Sequence, residues 1–187
     1  MQIVLASSSP QRVRLMREAG YDFESDPADI DETDLPAGLD AVGVAKYLAL
    51  AKARTVAQRH ADACVIGADT VVALGETLLG KPADADDARR MLSGLSGTTH
   101  RVITGVAVVS PAAEAVDHSV SEVTMRALTD QELNDYVASG EWRGKAGGYG
   151  IQDPDPFVTC VSGAADNVVG LPMDLVETLL TPSGGPP

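Results

Sequence analysis

The sequence predicts an α/β protein in which one mixed, twisted sheet is flanked by helices. Short apolar, β-branched runs with the length of buried strands alternate with segments of helical character along the chain. The central strands come as hairpin pairs rather than through helical crossovers. No shift in composition marks a domain boundary, so residues 1–180 are expected as a single domain and 181–187 ("TPSGGPP") as a disordered tail.

Taken in order, "QIVLA" (2–6) is a short buried strand. Ser9 and Pro10 then start a helix, a hydroxyl N-cap followed by a residue whose missing N–H costs nothing at the first helical position. That helix, "QRVRLMREA", stops at Gly20. "YDFES" alternates like an edge strand, and "DPADIDETDLPAG" is an acidic loop. Residues 39–59 are alanine-rich and helical. "ACVIGADTVVAL" (63–74) is a buried strand interrupted at Gly67-Ala68-Asp69, and "LGETLLGKP" is a hairpin turn.

"DADDARRMLSGLSG" is a helix with acids in its first turn, as its dipole favours. "HRVITGVAVVS" and "VSEVTMRAL" are two strands joined through "PAAEAVD". Thr129 and Glu132 form a capping box for "DQELNDYVAS". "KAGGYGIQ" is irregular, "FVTCVSG" a strand and "LPMDLVETLL" the last helix.

With 44% apolar residues the chain has enough hydrophobic material for a core. Its formal net charge of −13 argues against non-specific nucleic-acid binding, although a few bases can still converge on a small anion. Cys64 and Cys160 form no metal-ligand spacing and are read as small buried hydrophobes. No stretch has signal-peptide or membrane-spanning character, so the expectation is a soluble, cytoplasmic protein with no membrane partner.

Several residues carry possible chemistry. At "SSSPQR" a buried strand feeds a capped helix, whose free N–H groups and dipole suit a phosphate. Ser7, Ser8, Ser9 and Arg12 would add donors; the alternative is a plain helix cap with solvated arginines. Asp69 lies within valine, isoleucine and alanine, where a carboxylate is costly to bury unpaired. It either marks a strand end and caps a turn through Thr70 or serves function, and the strong strand formers that follow favour function. Small residues around it leave room for a ligand to approach the backbone.

Lys52 in "LALAKAR" and Lys81 in "LLGKP" are by default a snorkelling helix lysine and a solvated turn lysine. Glu32 lies in a loop crowded with acids, most of them expected to be solvated; one of these acids, paired with Asp69, would suit a hard divalent cation, which uses one or two carboxylates plus substrate phosphates. Gln152 offers an amide able to read a base edge. His100 is read as a structural residue at a strand start.

Together "LASSSPQR", "DIDE", Lys52-Ala53, "GADTVV", "GKP", "LSGTTHRVITGVAV", "KAGGYGIQ" and "VVGLP" resemble the Maf family of septum-formation-inhibitor-like nucleotide pyrophosphatases. The resemblance implies an elongated fold like that of inosine triphosphatases, with a central cleft and often a homodimer. It implies hydrolysis of nucleoside triphosphates to the monophosphate and pyrophosphate with a divalent cation (Mg²⁺, Mn²⁺ or Co²⁺), and removal of non-standard nucleotides. By motif, Asp69 becomes the catalytic base. Ser7, Arg12, Lys52 and Lys81 become phosphate contacts, and Glu32 joins Asp69 at the metal.

Family members acting on dTTP and UTP carry arginine after the Ser-Pro, threonine after the aspartate and glutamine in "YGIQ". This chain has Thr70 and Gln152, but Gln11 stands where the arginine would be. The methyl-GTP-directed branch, with tryptophan there and a late acid, fits worse. The alternatives are broad specificity, a preference for modified nucleotides, or a nucleotide-binding regulator of cell division that hydrolyses little. A generic α/β hydrolase is disfavoured because its G-x-S-x-G elbow is missing.

Overall fold

The computed structural model describes residues 1–153 and 157–181. Strand β1 (Ile3–Leu5) lies parallel to β2 (Glu24–Ser25) and to β3 (Cys64–Leu74). The β3–β4 hairpin (β4, Thr77–Leu79) and the antiparallel strands β5 (Thr99–Val109), β6 (Glu114–Met125) and β7 (Val158–Ser162) complete a mixed sheet. The order is β2–β1–β3–β5–β6–β7, with β4 on β3.

Among the described residues six α-helices flank it: α1 (Pro10–Glu18), α2 (Ala41–Ala57), α3 (Ala85–Leu95), α4 (Asp130–Ser139), α5 (Ala165–Val169) and α6 (Met173–Leu180). Their starts follow local chemistry. Ser9, Asp40 and Asp84 each accept a backbone N–H at the N-cap, and Thr129 with Glu132 forms the expected capping box. Among the described residues no helix is long and apolar enough to cross a membrane.

Helix α2 covers one face of the sheet with the stripe Ala41, Val44, Ala45, Leu48, Ala49, Lys52, Ala53 and Val56. On the other face, α1 and α6 pack over Ile66, Ala68 and Val106, while α3 and α4 pack over Val72 and Val102. Two glycines set how closely α2 approaches. A Cβ on Gly67 would stand 2.2 Å from the Ala49 carbonyl oxygen, and one on Gly105 would stand 2.4 Å from that of Ala45. Helix α2 therefore rests on bare strand backbone, and this approach carries Lys52 down to the sheet.

Several expectations are corrected. Strand β3 is continuous through Gly67-Ala68-Asp69, because β5 pairs with it from Val65 to Ala73. Gly67 makes room for α2 and not for a ligand. The β5–β6 connection is only Ser110–Ala113, and "EAVD" belongs to β6. Cys160 is half-buried, not a core residue, because β7 is an edge strand. Helix α5 was not foreseen. The tail expected over 181–187 lies outside the described residues except for Thr181.

Candidate functional site

The site arises where the sheet forks. Along one edge of β3, β1 pairs with Cys64–Ile66 and β4 with Val72–Leu74, while β5 occupies the opposite edge. Among the described residues no strand pairs with 67–71 on the forked edge. A cleft of about 420 Å³ opens there, and Ser7, Gln11, Arg12, Glu32, Lys52, Asp69, Thr70, Lys81 and Gln152 all line it. The structure thus brings these nine residues to one cleft.

Asp69 sits mid-strand on the α2 face, so the strand-end reading of this residue falls. Its Oδ1 accepts a hydrogen bond from Lys52 Nζ at 2.5 Å, with Asp69 4% and Lys52 5% exposed. The same ammonium reaches Glu32 Oε1 at 2.7 Å, and Lys81 Nζ stands 3.0 Å from Glu32 Oε2. Lys52 is therefore a buried bridge between two carboxylates and not a snorkelling surface residue; its place on the apolar stripe of α2 signals this. Lys81 keeps a half-exposed side chain at the rim.

Partial desolvation raises the pKa of Glu32, but hydrogen bonds and charge from Lys52 and then Lys81 outweigh it and bring the carboxyl to about 2. This pairing is complete above the ordinary value of 4.5 and is lost only as pH falls through about 2.

Helix α1 points its N-terminus into the cleft. Ser9 Oγ caps Arg12 N and also donates to Gln11 Oε1 at 3.0 Å. Ser7 Oγ accepts from Ser9 N. Arg12 Nε donates to Gly170 O at 2.8 Å, Nη1 to Ala68 O at 2.9 Å and Nη2 to Thr70 Oγ1 at 3.1 Å. Burial lowers the guanidinium pKa, opposed by Asp69 and Glu32.

The opposite wall contributes two cations that the sequence reading missed, Arg143 and Lys145. Arg143 stacks over the Trp142 ring at 4.8 Å, and Lys145 pairs with Asp153 at 2.6 Å. Both flank the glycine-rich run, where nothing in the local pattern separates a cleft cation from a solvated one. Gln152 stands on this wall with Oε1 buried and, among the described residues, without a hydrogen-bond partner. His100 lies behind the wall, its Nε2 2.6 Å from the Tyr149 hydroxyl, with its pKa lowered by burial to about 4.

Among the described residues five cationic side chains (Arg12, Lys52, Lys81, Arg143, Lys145) and two carboxylates (Glu32, Asp69) thus line a cleft of a chain with a net charge of −13, with Lys145 also paired to Asp153. Such local focusing against the overall charge suits a small polyanion. Among the described residues no cluster of three or more His, Cys, Asp or Glu side chains could cage a metal by itself. Asp69 and Glu32 do fit the mode in which a hard cation takes one or two carboxylates and completes its shell with substrate phosphates.

A forked mixed sheet with a basic cleft around a buried lysine–carboxylate pair defines an α/β protein suited to an anionic ligand. The chain belongs to the Maf family: the family model described as Maf-like protein matches residues 2–182. It is 43% identical to the dTTP/UTP pyrophosphatase of Koribacter versatilis, covering 98% of this chain and 95% of the relative. The enzymes of the same description from Deinococcus radiodurans and Myxococcus xanthus are each 46% identical, with 98% of this chain and 93% of each relative covered. Among solved structures, the Staphylococcus aureus Ham1 protein overlaps 67% of this chain and 72% of its own at a TM-score of 0.47 and 14% identity.

Proposed function

We propose that the cleft hydrolyses nucleoside triphosphates, dTTP and UTP foremost, to the monophosphate and pyrophosphate with a divalent cation (Mg²⁺, Mn²⁺ or Co²⁺). The observation that carries the reading is Asp69, a buried carboxylate on the stretch of β3 whose forked edge has no partner strand among the described residues, among converging cations. The three relatives named dTTP/UTP pyrophosphatase support the substrate class.

The chain's residues divide the work. Asp69 accepts a proton from a water whose oxygen bonds to the α-phosphorus; the α–β anhydride bond breaks and pyrophosphate leaves with the bridging oxygen. Lys52 fixes the carboxylate and, with Lys81 and the N-terminus of α1, meets the phosphate charge. Asp69 and Glu32 would hold the cation against the phosphates, where it supplies neutralisation of charge on their oxygens. Gln152, whose Oε1 has no hydrogen-bond partner among the described residues, faces the base.

The test measures pyrophosphate release from each of the eight canonical triphosphates with Mg²⁺ or Mn²⁺, for wild type and Gln11→Arg. The expected result is fastest release from dTTP and UTP, sharpened by the substitution as a guanidinium replaces an amide. Orthophosphate as the product, or binding with no product, would overturn the reading.

A further inference from the structure

Behind the cleft wall Thr104, Asn167 and Ser121 are essentially fully buried, and none has a part in the chemistry described so far. Polar groups buried at this depth are as a rule hydrogen-bonded; of these three side chains Asn167 Oδ1 alone is without a partner among the described residues, and the other bonds form one line. Arg12 can only donate, so Thr70 Oγ1 accepts from its Nη2. Thr70 and Thr104 are direct cross-strand partners, and their hydroxyl oxygens are 3.0 Å apart. Thr104 Oγ1 lies 2.9 Å from the Asn167 carbonyl, which only accepts.

These three contacts admit one direction of donation: Arg12 to Thr70, Thr70 to Thr104, Thr104 to Asn167. The far end is anchored in turn. Asn167 Nδ2 donates to Val102 O at 3.1 Å and Ser121 Oγ at 2.9 Å, and Ser121 Oγ donates to Ala164 O. Arg12 also donates from Nε to Gly170 O, just beyond α5, and from Nη1 to Ala68 O and Ser7 Oγ. Protein acceptors therefore hold four of its five N–H groups.

We infer that Thr104 is a positioning residue: acting through Thr70, it fixes the Arg12 guanidinium in one orientation at the cleft before any substrate binds. Thr70, whose hydroxyl is engaged on both sides, belongs to the same line and is not a donor to the base. A guanidinium held in advance loses less freedom when a phosphate arrives, so the benefit falls on substrate binding and transition-state alignment. The reactive part of this inference rests on the pyrophosphatase reading of the cleft; the positioning itself does not.

Thr104→Val keeps the shape and removes the hydroxyl, whereas Thr104→Ser keeps the hydroxyl. Two measurements are made on each variant and on wild type: the rate of rotation about the Arg12 Cζ–Nη2 bond by nitrogen NMR, and kcat/KM for pyrophosphate release. Thr104→Val is expected to speed the rotation at least tenfold and to lower kcat/KM about tenfold, with Thr104→Ser restoring both to within threefold.

Wild-type rotation in Thr104→Val would overturn the inference, as would faster rotation with unchanged kcat/KM. If wild type releases no pyrophosphate while Thr104→Val still frees the guanidinium, the proposed function falls and the positioning stands. Should Thr104→Val fail to fold, Thr70→Val breaks the same line one link nearer Arg12 and is compared with Thr70→Ser.

Discussion

Asp69→Asn is expected to lower kcat for pyrophosphate release by about a thousandfold, within the range that a positioned general base supplies. The substitution keeps an oxygen for Lys52 to bond and changes no volume on β3. Lys52 also retains Glu32 at 2.7 Å, so the buried ammonium is not orphaned. The melting temperature should fall by no more than about 5 °C, equivalent to roughly 1–2 kcal/mol for a chain of this size. KM should change little when the divalent cation is saturating, because Glu32 and the cationic side chains of the cleft remain in place. Turnover within a few-fold of wild type would remove Asp69 from the role of base.

Gly67→Ala is expected to destabilise the protein by about 3 kcal/mol, the upper part of the range for overpacking. The added methyl would meet the Ala49 carbonyl oxygen at 2.2 Å and Ala53 N at 2.8 Å. These are backbone atoms of α2, so no side-chain rotamer can relieve the contact and the helix itself must move. Lys52 rides on the turn between those two residues. The same shift would draw its ammonium away from Asp69, and kcat/KM should fall at least tenfold even in the fraction that stays folded. Chemical denaturation with parallel kinetics checks both effects. Wild-type stability would mean that α2 does not rest on Gly67.

Much of this architecture was legible because it is written locally. Ser9-Pro10, Asp84 and the Thr129/Glu132 box each announce a helix through chemistry confined to a few adjacent residues. Asp69 stood out because a carboxylate within a run of strand formers has no cheap explanation. The motifs of the Maf family then joined residues that no local pattern connects.

What stayed hidden depends on contacts between distant segments. Taken with its immediate neighbours alone, Lys52 has a surface lysine as its default; the i, i+3, i+4 stripe running from Ala41 to Val56 places it inside. The small residues around Asp69 suggest room for a ligand, but a sequence does not say which element covers a strand face, and at Gly67 it is α2. The alignment of Thr70 with Thr104 follows from the β3–β5 register, which depends on pairing residues 34 positions apart. Helix α5 is only five residues long, too short for periodicity to show.

In the proposed mechanism a water activated by Asp69 attacks the α-phosphorus of a triphosphate held in this cleft. Hydrolysis of dTTP in ¹⁸O-labelled water, followed by mass analysis of both products, tests it directly. The expected result is one labelled oxygen in the monophosphate and none in the pyrophosphate. Label in the pyrophosphate, or release of labelled orthophosphate, would contradict it.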